Sequence, residues 1–269
     1  MSGREEFDMD IGYITDCGNV RAENQDRLLV LERRGDSEEI TLCAVADGMG
    51  GTENGSLASA LTVRRLHVWW QEELPGLLAN QAIHAYASQS LELLIQECNR
   101  EILRQAESFG ISTGTTLSLM FAYKGQALVK HVGDSRIYLE RNGQWIQITK
   151  DHTWEQQEID RGVDPRTDAG YESKKGALVN ALGACENCWV DTQVLQMAEG
   201  DRYLICSDGF YRYIDPQQQM QDCTRAQELL EEMAGKIRNT PAVDNFTAVL
   251  AINEALKRSL HETRTIRLF

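Results

Sequence analysis

Asp47-Gly48-Met49-Gly50-Gly51 follows the apolar run Leu42-Cys43-Ala44-Val45-Ala46, so one lone carboxylate stands where a strand-type segment ends and backbone almost free of bulk begins. This arrangement suits a metal ligand. The carboxylate can take a divalent cation, while the glycines let a carbonyl turn toward a second cation and let a substrate approach closely. Asp-Gly before a small residue is equally a tight turn from strand to helix, so the stretch by itself leaves both readings open.

The chain around it has 269 residues, enough for one large domain or two small ones and for a substantial core. Its formal net charge of -14 repels nucleic-acid phosphate and anionic lipid, which argues against a polyanion-binding role. Seven cysteines are scattered along it, and Cys43 and Cys206 lie inside apolar runs where a thiol acts as a small hydrophobe. No disulfide framework follows. Cys185-Glu186-Asn187-Cys188 has the spacing of half a zinc site or a redox pair, but no second Cys or His pair completes a structural zinc site. The N-terminus lacks the apolar core of a signal peptide, and no run approaches the roughly 20 apolar residues that cross a bilayer. The expectation is a cytoplasmic protein without membrane attachment.

Strand-type runs occupy Asp10 to Thr15, Arg27 to Glu32, Glu39 to Ala46, Thr115 to Tyr123, Ala127 to Val132, Arg136 to Arg141, Trp145 to Thr149, Thr192 to Gln196, Arg202 to Cys206 and Phe246 to Ile252. Tyr123-Lys124-Gly125-Gln126 and Arg141-Asn142-Gly143-Gln144 are short turns of the antiparallel hairpin kind. Helical periodicity covers Gly55 to Glu73, Leu78 to Ser108 and Thr224 to Arg238. With no linker, repeat or low-complexity tract, a single α+β domain over 1–253 is the simpler reading.

Further segments sit at the edges of these runs: Arg21-Ala22-Glu23-Asn24-Gln25-Asp26, Thr113-Gly114-Thr115-Thr116, Val132-Gly133-Asp134-Ser135-Arg136, Lys150-Asp151-His152-Thr153, Cys206-Ser207-Asp208-Gly209 and Asp244-Asn245-Phe246-Thr247. In this order, together with Asp47-Gly48-Met49, they resemble the motif series of the protein phosphatase 2C family in its bacterial form, over about Ile11 to Ile252. The resemblance implies a β-sandwich of two antiparallel sheets flanked by helix pairs. It also implies a metal-dependent phosphatase acting on phosphoserine and phosphothreonine in protein substrates, as a monomer opposing a serine/threonine kinase.

The chemistry such a site needs can be stated from residue types. Phosphate monoesters hydrolyse very slowly unaided, and a pair of divalent ions supplies hydroxide and neutralises phosphate oxygens; water bridging them has its pKa brought from about 15.7 toward neutrality. By resemblance, Asp47 bridges both ions and the Gly48 carbonyl joins the second. Asp208 and Asp244 complete the first, Asp26 reaches the second through water, and Arg21 grips the substrate phosphate with its fork. Asp134 matches the ligand of a third, more weakly held ion shared with Asp208. Its alternative is a structural Asp that caps a hairpin and pairs with Arg136. All-oxygen ligation selects Mg²⁺ or Mn²⁺ over zinc.

Several positions depart from the family pattern. Thr52 and Ser56 stand where bacterial members carry a His and an acidic residue, Gln25 replaces a ligand Glu of animal members, and Met49 stands where those members carry a His proposed as general acid. Protonation of the leaving alkoxide then falls to water, and His152 is expected to brace the fold. Residues 154–180 correspond to the mobile flap of bacterial members. Charges and Gly dominate them, so they are expected to face solvent and contribute to substrate choice. Residues 254–269 extend past the last motif as a tail. A non-catalytic module that binds phosphoproteins or a kinase stays open beside the enzyme, as does a phosphatase of small molecules.

Overall fold

The computed structural model describes residues 7–34, 39–50, 55–78, 83–220, 225–241, 244–255 and 265–268. Along Glu39–Ala46 (β3) every residue after the first is buried, because the strand is covered on both faces. Alternate side chains point to opposite faces. Leu42, Ala44 and Ala46 pack toward helices, whereas Cys43 and Val45 pack toward a second sheet. An unbroken apolar run is the sequence trace of such a doubly covered strand.

The other elements follow in chain order. Strands Phe7–Asp16 (β1) and Arg27–Arg34 (β2) precede β3, and Gly48–Met49 (β4) follows it. Helices Gly55–Glu72 (α1), Leu74–Leu78 (α2) and Ile83–Phe109 (α3) come next. Then come Gly114–Thr115 (β5), Leu117–Tyr123 (β6), Gln126–Val132 (β7), Arg136–Arg141 (β8) and Gln144–Gln147 (β9). The flap carries Trp154–Asp160 (α4), a 3₁₀ turn at Pro165–Thr167 and Tyr171–Lys174 (α5). Asp191–Gln196 (β10), Arg202–Cys206 (β11), Asp208–Tyr211 (α6), Pro216–Gln219 (α7), Ala226–Arg238 (α8), Phe246–Ala255 (β12) and Thr265–Leu268 (β13) complete the described chain.

Two antiparallel sheets result, ordered β1-β12-β11-β8-β9 and β10-β7-β6-β3-β2-β13. Between them lies one core layer, with Val30, Val45, Met120 and Val129 facing Ile137, Tyr203, Ile205 and Val249. The outer face of the second sheet packs on α1 and α3 through Trp69, Leu91, Ile95 and Ile102, and the outer face of the first packs on α8 through Leu230, Met233 and Ile237. The layers are therefore α-β-β-α, an α+β sandwich as expected. Lys124-Gly125 and Asn142-Gly143 take positive φ at both positions (47° and 72°, 57° and 79°), the backbone of the two-residue hairpin turn, and they join β6 to β7 and β8 to β9.

Two features differ from the sequence expectation. The tail is not wholly separate from the domain: Thr265–Leu268 pairs antiparallel with Leu28 to Leu31 as the sixth strand, while 256–264 and 269 lie outside the described residues. The second long helix starts at Ile83 and not at Leu78, which closes the short helix α2; residues 79–82 between them, and Thr224 ahead of α8, lie outside the described residues.

Candidate active site

Antiparallel pairing brings the end of one strand beside the start of the next, and here it gathers the motif residues at one edge of the sandwich. Arg27 pairs with Ala46, so Asp26 and Asp47 emerge side by side. Asp16 pairs with Phe246 and Cys206 with Ala248, which places the Arg21 loop, Asp208 and Asp244 at the same edge. Asp134 follows the end of β7 in the neighbouring strand pair.

Close backbone contacts fix these positions. A Cβ on Gly48 would collide with the carbonyl oxygens of Gly55 and Gln25, and one on Gly209 with the carbonyl of Asn245. Glycine at both sites is thus a consequence of three chain segments meeting. The Thr113–Thr116 motif acquires a role as well: Asp47 N–H donates to Thr116 Oγ1 at 3.0 Å, and Thr115 Oγ1 donates to the Asp47 carbonyl at 2.9 Å. These bonds hold the backbone of the central carboxylate between two strands.

Asn245, Ser207 and Ser59 were not singled out as site residues in the sequence, yet they tie the loops together. Asn245 Oδ1 accepts from Gln25 N–H at 2.9 Å, while its Nδ2 donates to the carbonyls of Cys17 at 2.9 Å and Glu23 at 3.0 Å. Ser207 Oγ donates to Asp26 Oδ2 at 2.7 Å and accepts from Thr247 N–H at 3.0 Å. Ser59 Oγ on α1 donates to the Gln25 carbonyl at 2.6 Å. Their only sequence signal was adjacency to an aspartate or to a glycine-rich turn.

The carboxylates feel one another. Burial and then the charges of Asp26, Asp208, Asp134 and Asp244 hold Asp47 well above the ordinary carboxylate range. The residue is only partly buried, so it is not sealed inside the core. Burial pushes Asp26 up to about 6, against the lowering effect of Ser207 and Thr247, and pushes Asp134 up to about 7 with Asp208 adding to the rise. Asp208 is raised by burial despite Arg212 beside it. The repulsion among these carboxylates, second to burial as a cause, is relieved by a cation as it is by a proton.

Asp244, Asp208 and Asp26 are also engaged with protein partners. Arg21 lays its fork on Asp244, Nε to Oδ1 at 3.0 Å and Nη2 to Oδ2 at 3.1 Å, and Arg212 Nη2 meets Asp208 Oδ2 at 2.7 Å. Among the described residues no three acidic, His or Cys side chains stand close enough, as oriented here, to share one ion. Asp244 and Asp208 turn their side chains to arginine and Asp26 turns its own to serine, all at one edge of the sandwich. The donor chemistry suits a hard cation, since carboxylate oxygens and the Gly48 carbonyl are the groups at hand and the thiols of Cys17 and Cys206 are both raised by burial.

Asp134 does not pair with Arg136. That guanidinium forks onto Asp151, with Nη2 to Oδ2 at 2.7 Å, and lies over the Tyr211 ring at 3.8 Å. Buried His152 braces the fold behind the cleft. Its Nδ1 accepts from Gly133 N–H at 3.1 Å and Asn180 Nδ2 at 2.8 Å, and its Nε2 meets Asp191 at 3.2 Å. Met49 lies against Gly114, Ser56 opens α1, and Thr52 lies outside the described residues. Among the described residues the cysteines, Cys185 and Cys188 included, are free thiols.

The sequence model of the family described as protein phosphatase 2C matches residues 18–251. A curated relative, the serine/threonine phosphatase stp of Listeria welshimeri, is 33% identical over 252 residues, covering 91% of this chain and 96% of that protein. The crystal structure of the Mycobacterium tuberculosis serine/threonine phosphatase PstP/Ppp superposes with a TM-score of 0.73 at 29% identity, over 91% of this chain and 99% of that one. The catalytic domain of PstP solved in complex with two manganese ions gives 0.74 at 27% identity, over 93% of this chain and the whole of that one. With a family model spanning most of its length, and with the motif residues gathered at one edge of the family's sandwich, this chain belongs to the protein phosphatase 2C family.

Proposed function

We infer that this chain is a protein serine/threonine phosphatase whose acidic edge holds two divalent cations, Mg²⁺ or Mn²⁺, and hydrolyses phosphoserine and phosphothreonine. The observation that carries the reading is the gathering of Asp26, Asp47, Asp208 and Asp244 at one sandwich edge, each from a different chain segment, in a chain whose relatives are named serine/threonine phosphatases. A non-catalytic binding module has no support from these relatives, and all four aspartates are intact.

In this reading Asp47 and the Gly48 carbonyl, with Asp208, Asp244 and Asp26, are the groups that hold the ions. When bound, such a pair supplies an activated water at neutral pH and offsets phosphate charge. The protein's own residues do the rest. Arg21, half-exposed and forked on Asp244, presents the donor geometry that two phosphate oxygens require, and the fork transfers to them once Asp244 turns inward. Asn245 and Ser207 keep the Arg21 loop and Asp26 at fixed distance from Asp208. Met49 carries no proton to give, so the leaving alkoxide takes one from solvent. The wider setting belongs to the same reading: a cytoplasmic monomer acting on phosphoproteins against a kinase, formed by a single domain with flap 154–180. Among the described residues no helix is long and apolar enough to cross a membrane.

The test is hydrolysis of a phosphothreonine peptide and of p-nitrophenyl phosphate after chelation. Both activities are expected to vanish and to return with Mn²⁺ more fully than with Ca²⁺, whose larger radius suits a looser ligand shell. Full turnover in metal-free buffer would refute the reading.

A further inference from the structure

Arg212 is the unabsorbed feature of this edge. It follows α6 directly, four residues after Asp208, and helical spacing brings the two side chains onto one face. Its Nη2 bonds Asp208 Oδ2 at 2.7 Å, and Asp208 is nearly enclosed while the arginine is half-exposed. On its other side the same nitrogen lies 3.9 Å from the point where a Cβ on Gly176 of the flap would stand. Asp134 is its third neighbour: the carboxyl would rise further but for Arg212, and Asp208, Asp134 and Asp244 in turn hold the guanidinium in its charged form. Arg136 is committed to Asp151 and Tyr211, and Arg21 to Asp244.

The pair Asp134 and Asp208 is the one that the sequence resemblance gives to a third ion. In this chain a guanidinium already stands there, bonded to Asp208 and near enough to Asp134 for the two charges to act on each other. The bond occupies Oδ2 of Asp208 and leaves Oδ1 for the two-ion centre, whereas a further divalent cation would have to break it and sit beside a like charge that cannot be lost by deprotonation.

Resting on the two-ion reading above, we propose that Arg212 takes the place of a third ion: the Asp134 side of the centre is closed by a side-chain cation that also touches the flap, and the enzyme works with two metal ions. Arg212 is thus a positioning residue. It neutralises Asp134 and Asp208 without supplying an activated water, and it makes the Asp208 side chain sensitive to where Gly176 lies.

Mn²⁺ stoichiometry tests this without reference to turnover. The full chain, stripped with chelator, is titrated with Mn²⁺ by calorimetry, with free Mn²⁺ followed by electron paramagnetic resonance. The wild type is expected to take up two equivalents, unchanged in Asp134→Asn. Arg212→Gln is expected to gain a third, weaker equivalent that the double variant with Asp134→Asn loses again, while Arg212→Lys stays at two. A third equivalent in the wild type that disappears in Asp134→Asn overturns the proposal, and so does Arg212→Gln remaining at two. Should Arg212→Gln fail to fold, the comparison of wild type with Asp134→Asn decides alone. A wild type that binds no Mn²⁺ sinks the two-ion reading itself, a result distinct from either of those.

Discussion

The acidic edge and the flap meet at Arg212 but are built in opposite ways. The edge draws Asp26, Asp47, Asp134, Asp208 and Asp244 from segments far apart in the chain and sets them on strand ends whose register is fixed by buried ladders. The flap is one continuous stretch tied mainly to itself, with Arg161 on Glu158, Arg166 on Asp164, Lys174 on Asp168 and Lys175 on Glu172, all pairs within six residues. Exposed pairs of this kind contribute little, because water solvates the separated charges almost as well. The difference teaches where this molecule tolerates change. An edge assembled by long-range packing cannot move the backbone of one aspartate without shifting strands, whereas a self-contained surface segment can vary without disturbing the sandwich.

The comparison breaks first at Asp47. Asp47→Asn is expected to lower kcat for p-nitrophenyl phosphate by about a thousandfold or more, since a ligand to both ions is lost. The melting temperature of the metal-free protein should hold or rise, because burial and four neighbouring aspartates oppose the charge there. A variant with kcat within about tenfold of wild type would remove Asp47 from the centre of the mechanism.

A middle-sized effect lies at the seam between edge and flap, where His131 bonds Ser118 Oγ at 2.9 Å and the Lys150 carbonyl at 3.0 Å beside the His152 ring. Burial, then His152, holds His131 down to about 3. In the unfolded chain a His titrates near about 6.5, so below that pH the unfolded state binds the extra proton and stability falls. The stability is recovered as pH rises above about 6.5, and the slope between the two values is at most about 1.4 kcal/mol per pH unit. The excess melting temperature of wild type over His131→Gln is therefore expected to shrink between about pH 7.5 and about pH 5. A constant gap would show that His131 is not held neutral.

The smallest effect is expected in the flap. Arg166→Ala breaks a fully exposed pair with Asp164 and should leave both melting temperature and p-nitrophenyl phosphate turnover at wild-type values, with any change confined to preference among phosphopeptides. A clear loss of melting temperature would mean that the flap is braced by more than its own short-range pairs.

Much of this architecture was legible from local signals. Lys124-Gly125 and Asn142-Gly143 mark hairpins because their backbone conformation is a property of the residues themselves. The run of β3 reads correctly because burial on both faces leaves an uninterrupted apolar trace. The flap's short helices were not read. Their caps, Thr153 and Asp164, sit among charges with no buried face to give a helical period. Among the residues that tie the site together, Asn245 and Ser207 looked like ordinary companions of Asp244 and Asp208, since a side-chain bond to a loop some 220 residues away leaves no local pattern.

The sequence by itself determined the order of elements and the α+β class, because periodicity and turn chemistry are written residue by residue, and the resemblance carried by its motifs added the sandwich and the candidate aspartates. Only the tertiary structure decided which neighbours those aspartates have. It gave Asp244 to Arg21, Asp208 to Arg212 and Asp26 to Ser207, and it took Arg136 from Asp134 and gave it to Asp151. The physical reason is that a charge acts through distance and burial, and both are set by how strand ends converge, not by separation along the chain.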